Sequence, residues 1–110
     1  MLFDGHSAIS VVSIGELQAG VELAGTAEIR NARRLRLEMV EQAFVPIVVD
    51  EKVAIEYGRL LALARKARRV QKATDLLIAA TAGVTGRTLW TRDEAQSSLA
   101  EQASISVRLV

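Results

Sequence analysis

Lys72-Ala-Thr-Asp75-Leu-Leu-Ile-Ala-Ala-Thr-Ala82 and, after a glycine-bearing gap, Thr88-Leu-Trp-Thr-Arg-Asp93 decide how this chain folds. The first segment opens with an acid and continues apolar nearly all round, which predicts the most buried helix of the chain over 75–82. The second predicts a short strand over 87–91 that leads into another acid. A helix that feeds directly into a parallel strand runs antiparallel to it. Its N-terminus then lies near the strands' carboxyl edge, where open α/β sheets place their ligands. Asp75 and Asp93 are therefore expected to project toward one rim. A third acid, Glu16, follows the apolar run Ala8-Ile-Ser-Val-Val-Ser-Ile14. Three carboxylates at one rim point to a divalent-cation site, because hard cations prefer oxygen ligands.

The flanking segments alternate in type. Residues 7–14, rich in Val and Ile, read as a strand. Ser13-Ile-Gly-Glu16 matches a capping box with Ser13 as N-cap, opening a helix to about Leu23. From Ala27 to Ala43, Ala32, Leu35, Met39, Val40 and Ala43 share one helical face, and Arg30, Arg33 and Arg34 share another. Phe44–Val49 is a second strand, and Pro46, which cannot donate to a ladder, favours an edge. Asp50 caps the next helix, whose buried stripe is Val53, Tyr57, Leu60, Leu61 and Ala64. Gly83 and Gly86 mark the exit from the apolar helix. Thr91-Arg-Asp-Glu94 offers a further capping box for a helix to about Gln102. Residues 104–110 alternate as an edge strand does. Strands alternating with helices mean an α/β fold with a mostly parallel sheet flanked by helices.

The totals bound the rest. With 110 residues the chain is read as a single domain over 1–110 with one modest core. Half of it is hydrophobic and 25% charged, which is globular composition. No apolar run approaches the roughly 18 residues of a membrane span, and the N-terminus does not resemble a secretory signal. Zero cysteines exclude disulfides and thiolate metal sites and agree with a cytoplasmic setting. A net charge of +1 leaves any attraction to nucleic acid to local clustering.

Ser-Val-Val-Ser-Ile-Gly-Glu16-Leu-Gln-Ala-Gly, Asp75-Leu-Leu-Ile-Ala-Ala-Thr-Ala and Leu-Trp-Thr-Arg-Asp93, in this order, resemble the PIN-domain nucleases. The similarity is greatest to their VapC-type toxin branch from bacterial toxin–antitoxin pairs, and it runs from about residue 8 to the C-terminus. The resemblance implies a PIN-like three-layer domain and a Mg²⁺- or Mn²⁺-dependent endoribonuclease. It also implies a homodimer inhibited by a cognate antitoxin. By that comparison Glu16, Asp75 and Asp93 match three acidic ligands of the family, and Thr91 and Arg92 fall beside the last of them. Thr91 and Ser13 are taken as residues supporting these ligands.

The chain also departs from the family pattern. The opening strand of similar PIN domains, which ends in Asp followed by Thr or Ser, is expected to be missing or supplied from elsewhere. In the family that strand is central, between strands matching 7–14 and 44–49 on one side and 87–91 and 104–110 on the other. Asp4 is a poor substitute, because Gly5-His6-Ser7 leaves no crossover of about a dozen residues before the next strand. With one ligand absent, cleavage is expected to be reduced or absent. The alternative function is then a catalytically impaired PIN remnant acting through an antitoxin or a full-length toxin.

Each acid has a plainer reading. Glu16, Asp75 and Asp93 all lie at expected helix starts, where caps call for acids, and Asp50 occupies the same context without any match to the family. Arg68, Arg69 and Lys72, from the basic run Arg65–Lys72, and Arg92 are candidates for binding RNA phosphates. With no aromatic residues interleaved for base stacking, the basic run is better suited to a helix C-terminus, where cations complement the dipole. His6 is expected to be inert, and Trp90 is expected in the core. A generic nucleotide binder is the weakest reading, since no glycine-rich phosphate loop follows a strand. The apolar stripes within 16–43 fit a dimer or antitoxin surface as well as ordinary core.

Overall fold

A computed structural model describes residues 8–110; Asp4 and His6 lie outside the described residues. The element order is β1 (Ala8–Ser10), α1 (Val11–Glu22), α2 (Ala27–Ala43), β2 (Val45–Ile47), α3 (Glu51–Lys66), α4 (Ala73–Thr85), β3 (Leu89–Thr91), α5 (Glu94–Gln102) and β4 (Val107–Leu109). This is the expected α/β alternation. The chain resolves into two compact units, 1–48 and 49–110.

In the first unit β1 pairs in parallel with β2, Ile9 opposite Pro46. The strand expected over 7–14 stops at Ser10, because the helix begins three residues earlier than its capping box suggested. The cap is Ser10, whose Oγ accepts from Val12 N at 3.1 Å; Ser13 lies inside α1. Val11, Val12 and Ile14 are β-branched, so local preference favoured a strand that the capping bond overrode. Thr26 caps α2 through Ile29 N, and Arg33 of α2 donates to the Gly20 carbonyl of α1 at 2.7 Å.

In the second unit β3 pairs in parallel with β4, Leu89 opposite Val107 and Trp90 opposite Arg108. One core joins its helices and strands: Val53, Leu60 and Ala64 of α3, Leu76, Ala79 and Ala80 of α4, Leu89, Leu99, Ala100 and Ile105. The apolar helix α4 contributes the most buried residues of any element described, as its composition implied. It extends past its expected exit, so Gly83 lies within it and Gly86 is the left-handed cap. Trp90 departs from the expectation of core: it is 38% exposed, with the Arg108 guanidinium 5.1 Å from its ring centroid. The period of two explains this, since Leu89 and Thr91 take the buried face of β3 and leave Trp90 on the other.

Candidate functional site

The junction between β3 and α5 positions the acids of the second unit. Asp93, and not Thr91 as the expected capping box required, is the N-cap of α5. Its Oδ1 accepts from Ala95 N at 2.8 Å and from Gln96 N at 3.1 Å. Both cap bonds end on one oxygen, which leaves Oδ2 for another ligand. Thr91 is buried in β3, and its hydroxyl accepts from Asp93 N at 3.0 Å. Asp75 stands in the first turn of α4, half-buried. The α4 N-cap is Lys72, which makes no side-chain cap bond, so Asp75 is not serving as the cap.

One residue touches both acids. Gln96 donates from its backbone N to Asp93 Oδ1 and from Nε2 to the Asp75 carbonyl at 2.9 Å. This bond brings the N-terminus of α4 to the start of α5, just beyond the carboxyl end of β3, as the helix–strand argument required. Two helix N-termini thus meet where two carboxylates stand, and their partial positive charge favours anionic side chains there. Glu16 belongs to the first unit, in the second turn of α1, and is exposed. Ser13 lies one turn before it. Among the described residues no three acidic or histidine side chains form a group able to hold a metal ion. The oxygen donors of Asp75 and Asp93 nonetheless suit a hard cation in kind.

The basic candidates surround these acids in sequence and differ in environment. Arg92 and Lys72 are exposed, one beside Asp93 and the other three residues before Asp75. Arg68 is exposed at the end of α3, whereas Arg69 is half-buried and donates to Ser98 Oγ of α5 at 3.0 Å. Gln96 itself was missed from the sequence. Asp93-Glu-Ala-Gln96 is a capping-box pattern that would have drawn attention to it.

The family model described as PIN domain matches residues 3–102. This chain belongs to the PIN domain family. Relatives of this PIN domain include Ribonuclease VapC8 of Mycobacterium tuberculosis, 46% identical over 79 residues that make up 70% of each chain. Ribonuclease VapC4 of the same species is 33% identical over 106 residues, 96% of this chain and 81% of the relative. Among solved structures, VapBC-5, a member of the VapBC family of toxin–antitoxin systems from M. tuberculosis, superposes with a TM-score of 0.85. It is 32% identical, and the match covers 94% of this chain and 81% of that one. VapBC2 from Rickettsia felis, bound to a promoter DNA fragment, has a similar fold, with a TM-score of 0.81 at 22% identity over 94% of this chain and 74% of that one.

Proposed function

We propose that this PIN domain is the toxin of a type II toxin–antitoxin pair, a cytoplasmic, metal-dependent endoribonuclease that hydrolyses RNA phosphodiesters. The observation that carries the reading is the bonding of Gln96 to both Asp75 and Asp93, which sets two acids of the family pattern beside two helix N-termini. The ribonuclease names of the relatives and the toxin–antitoxin complexes among the solved structures support it.

Asp75 and Asp93 are the residues of the second unit that would hold Mg²⁺ or Mn²⁺; Glu16, the third acid of the family pattern, belongs to the first unit. When bound, the cation supplies neutralisation of charge on the phosphoryl oxygens and acidification of an attacking water. The chain's own part is to hold carboxylates together against their repulsion, which the helix dipoles offset. Arg92 and Lys72, exposed beside these acids, hold RNA phosphates, with Arg68 and Arg69 extending the basic edge. The partner is an antitoxin, seated on the exposed apolar face of α2, and the active form is a homodimer.

The test is Mn²⁺-supported cleavage of a mixed RNA by the wild-type chain and an Asp75→Ala, Asp93→Ala double variant. Cleavage that needs the metal and disappears in the double variant is expected. Undiminished metal-dependent cleavage without both acids would overturn the site.

A further inference from the structure

We propose that Gln96 is a positioning residue that, together with Thr91, fixes the Asp75 and Asp93 carboxylates relative to each other. The inference rests on the cation site proposed above.

Gln96 and Thr91 are 7% and 8% exposed, so their polar atoms must find partners within the protein. Among the described residues no buried side-chain polar atom lacks one. The bonds form a single directed chain. Asp93 N donates to Thr91 Oγ1, Thr91 Oγ1 donates to Gln96 Oε1 at 2.5 Å, and Gln96 Nε2 donates to the Asp75 carbonyl. The direction is set by chemistry. A flipped Gln96 amide would press its oxygen against the Asp75 carbonyl, two acceptors with no proton between them.

The chain of bonds also explains why Gln96 is free to reach Asp75. In a capping box the third helical residue bonds back to the N-cap N–H. Here Thr91 already occupies the Asp93 N–H, so the Gln96 amide extends away from its own helix. At one end Asp93 is held through its backbone N and through Oδ1, which locks its rotamer and aims Oδ2. At the other end the first turn of α4 is held at the residue that carries the second carboxylate. Neither Gln96 nor Thr91 needs to touch a cation to set the spacing of the groups that do. Groups that orient metal ligands in this way commonly change metal affinity by about 10–100-fold when removed.

The experiment measures binding of Mn²⁺ alone to the full chain, from the electron paramagnetic resonance signal of the free ion, alongside thermal unfolding of each variant. Wild-type chain, Asp75→Asn, Gln96→Met and Thr91→Val are compared. The expected result is loss of binding in Asp75→Asn and about tenfold weaker binding in Gln96→Met and Thr91→Val while both remain folded. Thr91→Val retains a β-branched strand residue and carries the test if Gln96→Met does not fold. Wild-type Mn²⁺ affinity in a folded Gln96→Met or Thr91→Val chain, with binding lost in Asp75→Asn, overturns the positioning role and leaves the site standing. No binding by the wild-type chain, or equal binding by Asp75→Asn, overturns the cation site and the positioning role with it.

Discussion

Gly83 faces Ile105 so closely that an added Cβ would lie 3.1 Å from both Cδ1 and Cγ1 of that side chain. Ile105 is buried in the core, so it has little room to retreat. Gly83→Ala should gain about 1 kcal/mol of helix propensity yet lose more through overpacking, for a net loss of about 1 kcal/mol in urea denaturation. A stabilised variant would contradict that close fit. Three helix ends provide the converse case. Arg68, Gly86 and Ser104 all adopt positive φ, at 55°, 66° and 61°. Each sits in the same motif, closed by Arg69 N to Ala64 O, Arg87 N to Ala82 O and Ile105 N to Ala100 O. Only one of the three is glycine. The left-handed conformation costs a residue with a Cβ about 1–2 kcal/mol, part of which glycine returns through its freer unfolded chain. Ser104→Gly should therefore raise stability by about 0.5–1 kcal/mol, readable as a higher denaturation midpoint.

At the scale of elements, the start of α5 carries a helix cap and, by the proposal above, a metal ligand, and one substitution separates the two. Asp93 caps the helix through Oδ1, and asparagine retains that acceptor while losing the charge. Asp93→Asn should stay within about 0.5 kcal/mol of wild-type stability while losing metal-supported cleavage; Asp93→Ala should lose both, with about 1 kcal/mol of stability. An active Asp93→Asn would mean that the carboxylate is only a cap. The order and type of the elements were legible because periodicity reports burial on a helix or strand, as in the stripe Val53, Leu60, Ala64. Boundaries were less so. Ser10 and Ser13 offer the same hydroxyl to the same helix, and only the bond to Val12 N selects between them. Of the candidate site, Asp75 and Asp93 could be singled out as acids at helix starts, but not the bond that links their segments. It runs through Gln96, 21 residues from Asp75, by a bond that no sequence spacing encodes.

For the molecule as a partner to other molecules, α2 is the element that stands out. Its apolar face was legible at helical spacing, yet the structure leaves much of it uncovered: Leu35 is 60% and Met39 69% exposed. With Ala32, Val40, Ala43 and Phe44 they line an open groove of about 430 Å³. Arg36 at its margin adds a charge that an acidic partner segment would meet. A stripe that were simply core would have its largest side chains covered, and on α2 only Leu37 is buried. Exposed apolar patches of this kind mark association surfaces. Leu35→Glu with Met39→Glu places charge on side chains already in contact with solvent, so the fold should tolerate the pair within about 1 kcal/mol. Copurification with the proposed antitoxin should fall at least tenfold, because burying two unpaired carboxylates in an apolar interface is strongly unfavourable. The metal binding proposed for Asp75 and Asp93 should not change. If association persists unchanged in the folded double variant, α2 is not where the partner sits, and its exposed stripe has no assigned role.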